Sequence, residues 1–395
     1  MISSKTKKIP QALSIYINQL VYSLKDKGRE IKVLSLGEAY FTMPQLNIHA
    51  DAFDRGYHYG SSQGSPKLRQ LISDYYNLTF KSHSEASNVL LSCGSKIIIY
   101  MTMLSTCDDG DEVLIHEPAW LSYTEQARLA SLEPKFIPYN IPLSDFEKYI
   151  TSKTKLLIIC NPNNPAGFRY NIDEVSNLYN LCVQKGIYLL VDEAYNEFYS
   201  TPIVSALSID KEMKNLVVVN SLSKNFGMSG WRIGYAITNK DLNESLLKTN
   251  QHLITCVPTV LSEYVEENFN LLLSNARSQI KELINKRDII ETYLKDLKLD
   301  YMESDSTFYI FVDVSSFKGK TIDLVYDLLF NHDISVVPGE CYGDSTNSFV
   351  RVSIGTESLE TIFECLNVIK DRTINGIDQE SFSKEIESLG FKEWK

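Results

Sequence analysis

Lys224 is the residue of this sequence best placed for covalent chemistry. It lies in the run SLSKNFGMSGWRIG, directly after the apolar segment LVVVN, which is typical of a strand buried on both faces. A lysine held at such a strand end inside a pocket loses its charge more easily and can attack a carbonyl group. Ser221, Ser223 and Arg232 flank it, and hydroxyls with a planar guanidinium suit a phosphate dianion. The alternative for an isolated lysine is a solvated turn.

Asp192 is a carboxylate at the end of a second buried strand, YLLVD, and Tyr195 follows shortly after it. An unpaired buried carboxylate is costly, so Asp192 requires a cationic partner unless it simply caps a helix. The protonated nitrogen of an aromatic heterocycle would serve. At ~4 Å and an effective dielectric constant near 20, the attraction is about 4 kcal/mol. That energy corresponds to roughly three pKa units, enough to keep such a ring protonated.

Polar side chains are also associated with two further strand segments. In LLIICNPNNPAG the prolines and Gly167 fix a turn, and the amide of Asn164 can donate to a phenolate oxygen. In SFVRVSIG, Arg351 can pair with a carboxylate through both guanidinium branches and so set orientation as well as charge. Without the other motifs, the first segment would be an ordinary turn and Arg351 a surface strand residue.

The elements that position these residues alternate along the chain. From residue 31 to about 250, short apolar strands alternate with helical stretches, which predicts a largely parallel sheet covered on both faces. A long charged helix at 260–296 leads to a second strand–helix set. Ligands bind such sheets at the carboxyl ends of the strands. Strands are predicted at 89–92, 112–116, 156–160, 187–191, 216–220, 232–238, 308–314, 334–337 and 349–354, and further helices at 96–104, 122–130, 172–185, 322–330 and 358–370.

This pattern predicts a division of the chain into four regions. Residues 1–45 form an N-terminal arm and part of a small domain, and 46–275 form the large domain that carries Lys224 and Asp192. Residues 276–372 form the small C-terminal domain, and 373–395 form an amphipathic tail to which no role is assigned.

Together these strings closely resemble the motifs of the class I/II aminotransferases, enzymes of the aspartate aminotransferase type that use pyridoxal 5'-phosphate (PLP). The resemblance extends from about Leu13 to Lys370. It implies PLP fold type I, an α/β fold in which a large domain with a mostly parallel sheet covered by helices is joined to a smaller α/β domain. There are departures: Ala166 replaces the common threonine, Ala39 and Tyr40 replace Pro-Asp, and CVPTV at 256–260 lacks the usual asparagine.

The resemblance implies a role for each matching residue. Lys224 would hold PLP as a Schiff base, and Asp192 would pair with its pyridine nitrogen. Arg351 and the backbone at Gly37 would bind the substrate α-carboxylate. Tyr59 would reach the phosphate of the neighbouring subunit's cofactor, which implies a homodimer with active sites at the interface. The other implied contacts are Asn164 and Tyr195 at the phenolic oxygen, Trp120 on the ring, and Gly94, Ser95, Lys96, Ser221, Ser223 and Arg232 at the phosphate.

The implied reaction is transfer of an amino group between an L-amino acid and a 2-oxo acid in ping-pong fashion. Tyr16, Ile17 and Tyr40 are predicted to line the side-chain pocket, which favours a neutral or aromatic amino acid over aspartate. A PLP-dependent lyase, an aminocyclopropane-carboxylate-synthase-like enzyme and an amino-acid oxidase-like relative share the same residues and stay open as alternatives. A non-catalytic PLP-binding regulator is more remote, because no basic DNA-binding extension precedes residue 31.

The overall composition limits which cellular location and which binding partners are expected. A chain of 395 residues can form two domains around separate cores. The net charge of -11 argues against nucleic acid, whose phosphates would be repelled over most of the surface. No apolar run approaches the length of a membrane span. The seven cysteines include no CxxC pair, so neither a disulfide framework nor a metal site is indicated, and a cytoplasmic location is expected.

Overall fold

The structure is a computed structural model that describes residues 2–44, 54, 56–201, 203–377 and 381–394. The predicted domain limit at 45/46 lies outside these residues, and the four-region division stays a prediction. The strands are β1 (Lys32–Val33), β2 (Val89–Ser92), β3 (Glu112–His116), β4 (Glu133–Ile137), β5 (Thr154–Cys160), β6 (Tyr188–Asp192), β7 (Leu216–Ser221), β8 (Gly234–Thr238), β9 (Tyr309–Asp313), β10 (Ile334–Ser335), β11 (Val337–Pro338) and β12 (Phe349–Ser353). The helices are α1 (Ser4–Lys7), α2 (Leu13–Asp26), α3 (Pro66–Phe80), α4 (Ser95–Thr106), α5 (Ser122–Leu129), α6 (Ile172–Lys185), α7 (Leu222–Asn225), α8 (Lys240–Leu253), α9 (Thr259–Leu297), α10 (Thr321–His332), α11 (Leu359–Asn375) and α12 (Ser383–Ser388).

The main sheet has the order β2-β8-β7-β6-β5-β3-β4 among the described strands. β7, β6, β5, β3 and β4 run parallel to one another, whereas β8 is antiparallel to both of its neighbours, β7 and β2. Between β7 and β8 the chain forms only the four-residue α7 and a short 3-10 turn, so it returns without a crossover helix. The predicted α/β fold with a largely parallel sheet is confirmed.

Both faces of this sheet are covered by helices. In β7, Leu216 and Val218 pack into a core with α3, α6 and the first half of α9. Val217 and Val219 point to the opposite face and pack with α4, α5 and α8. Burial on both faces is the reason that these strands are apolar at every position rather than at every second one.

A second core joins the N-terminal helix to the C-terminal part of the chain. It contains α2, α10, α11, the second half of α9 and the antiparallel sheet β11-β12-β9. The 39-residue α9 connects the two bodies, because Phe269 packs into the first core and Ile290 into the second. Neither α9 nor any other helix among the described residues is long and apolar enough to cross a membrane.

Several elements differ from the sequence-based expectation, among them two strand regions. The strand predicted at 334–337 is divided between two sheets, since β10 pairs with β1 while β11 pairs with β12. The strand β4 was not predicted, because Glu133, Pro134 and Lys135 are partly or fully exposed and carry no apolar pattern. It lies at the edge of the sheet, where proline and charged residues are tolerated.

Candidate active site

A cavity of about 380 Å³ lies at the carboxyl ends of β5, β6 and β7 and is closed by residues of α2, β9 and β12. Neighbouring parallel strands present these ends at one edge of the sheet, so residues distant in sequence meet there. The predicted residues that line the cavity are Gly37, Ser95, Lys96, Trp120, Asn164, Asp192, Tyr195, Ser221, Ser223, Lys224, Arg232 and Arg351.

Lys224 lies in α7, directly after β7. Its Nζ donates a hydrogen bond to the backbone carbonyl of Gly37. Burial lowers the pKa of Lys224 to about 8, because the charged amine loses its hydration. Glu38 opposes this change, whereas the guanidinium groups of Arg351 and Arg232 add to it. At mildly alkaline pH a large fraction of the amine is therefore neutral and nucleophilic.

Asp192 ends β6 and is only 5% exposed. Its Oδ2 accepts a hydrogen bond of 2.6 Å from the Tyr123 hydroxyl, and its Oδ1 accepts one of 3.1 Å from the Ala194 amide. Burial nevertheless raises the pKa of Asp192 to about 6. Among the described residues no ion pair involves this carboxylate, so the site has a place for a cation beside it.

Tyr195 and Tyr309 bring two phenols together at the middle of the cavity. Their hydroxyls are 3.0 Å apart, and Nδ2 of Asn164 donates to the Tyr195 hydroxyl at 3.4 Å. Burial raises the pKa of both phenols, so both are protonated at neutral pH. One of the two protons is therefore free for an acceptor in the cavity.

Arg351 lies in β12 and is 5% exposed. Nη2 donates to the Ser35 carbonyl at 2.8 Å, and Nη1 donates to Oδ1 of Asn164 at 3.4 Å. Its guanidinium carbon lies 4.4 Å from the ring centroid of Tyr309, a cation–π contact. Nε is buried without a hydrogen-bond partner in the part of the chain that the structure describes. A buried cation of this kind is prepared to bind a carboxylate.

An anion cradle lies at the N-terminus of α4. The helix begins at Ser95, and Gly94 precedes it with φ 87° and no side-chain cap, so the first N–H groups are available to a ligand. A Cβ on Gly94 would collide with the Arg232 guanidinium, which places that cation against the helix start. Nearby, Nζ of Lys96 lies 4.9 Å from the ring centroid of Trp120, and burial lowers the pKa of this lysine.

Five predicted residues do not line the cavity; one of them, Gly94, directly precedes the lining residue Ser95. Tyr59 is 87% exposed and Tyr40 is 65% exposed on this chain. Ile17 is fully buried in the core beneath α2. Tyr16 is buried as well, and its hydroxyl donates to the carbonyl of Lys392 at 2.9 Å. The structure therefore does not form a side-chain pocket from Tyr16, Ile17 and Tyr40.

Other residues that the sequence reasoning missed take part in the cavity. Ser14 and Asn18 project from α2 into it, and their i,i+4 spacing places them on one face of that helix, a signal that could have found them. Tyr123 lies in the first turn of α5, three residues after the predicted Trp120. Ser35 and Tyr309 lie among strand-like apolar residues and carry no local signal.

A family described as aminotransferase class I and II matches residues 33–369, most of the chain, and the protein belongs to this family. The (5-formylfuran-3-yl)methyl phosphate transaminase of Methanocaldococcus jannaschii is 29% identical over 357 residues, which cover 89% of this chain and 94% of that protein. The probable aspartate/prephenate aminotransferase of Aquifex aeolicus is 29% identical over 391 residues, which cover 93% of this chain and 98% of that protein.

Solved structures agree with this assignment. A Methanococcus jannaschii protein whose active site is described as similar to kynurenine aminotransferases has a TM-score of 0.83 and 27% identity, covering 94% of this chain and 100% of that one. An aromatic aminotransferase of Pyrococcus horikoshii has a TM-score of 0.81 and 25% identity, covering 90% of this chain and 100% of that one. The protein is thus a PLP-dependent aminotransferase, as the motifs predicted.

The residues of the cavity fit PLP. The cofactor requires an amine that reacts with its aldehyde, an anion beside its ring nitrogen and a cradle for its phosphate. Lys224 with its lowered pKa supplies the first, and Asp192, a carboxylate whose pKa is raised by burial, supplies the second. The start of α4 with Arg232 supplies the third.

Proposed function

We propose that Lys224 is the cofactor lysine and proton carrier of this aminotransferase, and that Asp192 and Arg351 hold the cofactor ring and the substrate carboxylate. The observation that carries the proposal is that Lys224 and Asp192 line one cavity with the pKa of the amine lowered to about 8 and the pKa of the carboxylate raised to about 6. An aromatic aldehyde with a basic ring nitrogen satisfies both groups, since the amine reacts in its neutral form and the carboxylate gains a cation.

The remaining residues of the cofactor end fix the orientation of the ring. Bound PLP supplies an electron sink for the charge that develops at the substrate α-carbon. Asp192 keeps a proton on the ring nitrogen, and Tyr123 holds this carboxylate in place through its 2.6 Å hydrogen bond. Asn164 and Tyr195 would donate to the phenolic oxygen of the bound cofactor. Trp120 would cover its ring, and the residues that would hold its phosphate are Gly94, Ser95, Lys96, Ser221, Ser223 and Arg232.

Lys224 and Arg351 act on the substrate. Arg351 binds the α-carboxylate through its guanidinium fork, so the bond between the α-carbon and its hydrogen is directed toward Lys224. Nζ of Lys224 accepts the α-proton and later donates a proton on the same side. Hydrolysis by water then releases the 2-oxo acid while the amino group is retained at the cofactor end, and a second 2-oxo acid, which receives that amino group, binds to the same Arg351. One carboxylate site thus serves both half-reactions, which gives ping-pong kinetics.

We also propose a neutral amino acid as the donor. The cations that line the cavity within the described ranges are Lys96, Lys224, Arg232 and Arg351. All four have the roles given above, and the Lys96 amine also lies over Trp120. The wall formed by α2 is uncharged, so a distal carboxylate there would be buried without a cation, which is costly.

A panel of amino donors with 2-oxoglutarate as the acceptor tests this assignment. We expect kcat/KM for the best neutral or aromatic donor to exceed that for aspartate by at least about tenfold. Preference for aspartate would contradict it. With a single amino acid and no acceptor, release of product must stop after one half-turnover, whereas a lyase would continue.

We further propose a homodimer in which Tyr59 completes the cavity of the neighbouring subunit. Tyr57 and Tyr59 are 84% and 87% exposed, and aromatic residues are enriched in interfaces between subunits. Light scattering should give a dimer mass. Mixing and reassembling Lys224→Ala chains with Tyr59→Phe chains should restore one intact site per mixed dimer, and a fully active monomer would contradict the proposal.

The seven free cysteines support a cytoplasmic location.

The role of Lys224 is tested by Lys224→Ala. Turnover should fall at least about 10⁴-fold because both the covalent attachment and the proton transfer are lost. Borohydride should no longer fix PLP to the chain. Lys211→Ala, which changes an exposed lysine of the same domain, is the control and should behave as the parent enzyme. Turnover by Lys224→Ala at more than a hundredth of the parent rate would contradict the role.

A further inference from the structure

Residues 381–394, here called the tail, follow the range 33–369 that the family matches. Phe382 and Ile386 of the tail are 1% and 0% exposed. The ring of Phe382 stacks on Phe330 of α10 with centroids 5.7 Å apart. The tail is therefore anchored in the second core, and it lies outside the residues that the family describes.

The end of the tail contacts the beginning of α2. The Tyr16 hydroxyl donates to the carbonyl of Lys392 at 2.9 Å, and the Phe391 ring meets the Tyr16 ring edge-on at 6.0 Å. Nearer the end of the tail, Nε1 of Trp394 donates a hydrogen bond of 2.9 Å to the carbonyl of Gln11, which precedes α2. These contacts fix α2 on the side opposite the cavity.

On its other side, α2 is linked to Arg351. Ser14 and Asn18 line the cavity, and Oδ1 of Asn18 accepts a hydrogen bond of 2.7 Å from the Ser35 hydroxyl. The carbonyl of Ser35 in turn accepts the 2.8 Å hydrogen bond from Nη2 of Arg351. A continuous set of contacts therefore leads from the tail through α2 to the guanidinium group.

We infer that the tail is a positioning segment for substrate binding: through Tyr16 and Gln11 it holds α2 where Asn18 and Ser35 orient Arg351 toward the substrate α-carboxylate. The inference rests on the carboxylate-binding role proposed for Arg351. Both substrates carry the same α-carboxylate, so loosening the tail raises KM for the amino acid and for the 2-oxo acid together. Binding of PLP is unchanged, because the tail makes no contact with Lys224 or Asp192 among the described contacts.

A matched pair of variants separates this role from a general effect on stability. Trp394→Phe removes the indole N–H that binds Gln11 but keeps an aromatic ring. Lys27→Met removes another contact between α2 and the tail, the 2.9 Å hydrogen bond from Nζ to the carbonyl of Ser388, at the end of α2 remote from the cavity. Tyr16→Phe removes the contact with Lys392 and serves as a second test variant if Trp394→Phe folds poorly.

We expect KM for both substrates to rise about three- to tenfold in Trp394→Phe and in Tyr16→Phe, with kcat within about twofold of the parent. Lys27→Met should leave both KM values within about twofold. Two readouts do not depend on turnover: the Kd of an α-methyl amino acid, which has the carboxylate but no α-proton, should rise with KM, and the Kd of PLP for the apoenzyme should not change.

Equal KM values in Trp394→Phe and Lys27→Met would overturn the inference, as would unchanged KM values in both Trp394→Phe and Tyr16→Phe. An increase confined to one of the two substrates would also overturn it. Failure of the underlying role of Arg351 is distinguishable, since Arg351→Lys would then leave the Kd of the α-methyl amino acid unchanged even with the tail intact.

Discussion

The two ends of the cavity are constructed in different ways. At the cofactor end, Asp192 and Lys224 follow neighbouring parallel strands of one sheet, β6 and β7. At the substrate end, Asn18, Ser35 and Arg351 come from α2, the segment after β1, and β12, which belong to the second core. The first end is determined by strand order within one sheet, whereas the second depends on how two bodies pack. Changes in the packing of the second core should therefore alter substrate binding more than cofactor binding.

Among the variants that separate the cofactor end from the substrate end, Asp192→Asn should change kcat the most. The amide removes an attraction of about 4 kcal/mol to the protonated ring nitrogen, so kcat should fall about 10³-fold and the Kd of PLP should rise. Steady-state kinetics and spectral titration of the apoenzyme measure both. Tyr123→Phe, which removes only the hydrogen bond to this carboxylate, should cost about tenfold or less. An Asp192→Asn enzyme with parent kcat would refute the pairing.

Arg351→Lys should give the next largest effect, an increase in KM, and this effect should be confined to the substrate end. The variant keeps the positive charge but loses the fork, so KM for both substrates should rise about 10²-fold. The Kd of PLP should remain that of the parent. A parallel loss of cofactor affinity would show that the two ends are not separable.

The pH dependence of PLP uptake by the apoenzyme should report the cofactor end alone. A lysine with a lowered pKa gains its reactive neutral form as pH rises through that pKa, which is about 8 for Lys224. The uptake rate should therefore rise about tenfold between pH 7 and pH 9 and then level off. Stopped-flow absorbance measures it. A rate that keeps rising to pH 10 would mean that the pKa of Lys224 is not lowered.

Tyr309→Phe should give the smallest effect, and it should touch both ends. The lost hydroxyl lies 3.0 Å from that of Tyr195, and the ring lies under Arg351. We expect KM to rise about threefold and the pH midpoint of the cofactor absorbance to shift by less than about one unit. Tyr342→Phe is the control, because its ring also packs on Arg351 but its hydroxyl is not the one that contacts Tyr195. If Tyr309→Phe and Tyr342→Phe changed KM and the pH midpoint equally, the Tyr309 hydroxyl would not link the two ends of the cavity.

Much of the fold followed from hydrophobic patterning. Strands β2 and β3 and helix α6 have the predicted limits, because segments buried on both sheet faces or on one helix face carry a continuous or periodic apolar signal. The edge strand β4 and the division between β10 and β11 lacked such a signal, since exposure and pairing partners decide them.

The sequence alone predicted the residues proposed for the cofactor end, because Lys224, Asp192 and Arg232 lie in contiguous strings at strand ends, and such ends meet at one edge of a parallel sheet. At the substrate end it predicted Arg351 and Gly37, but only the tertiary structure decided which side chains surround them. It turned Tyr16 away from the cavity and toward the tail, and it brought in Asn18 and Tyr309 instead. The direction in which a helix or strand presents its side chains depends on the surface against which it packs, and that surface comes from residues far away in the chain.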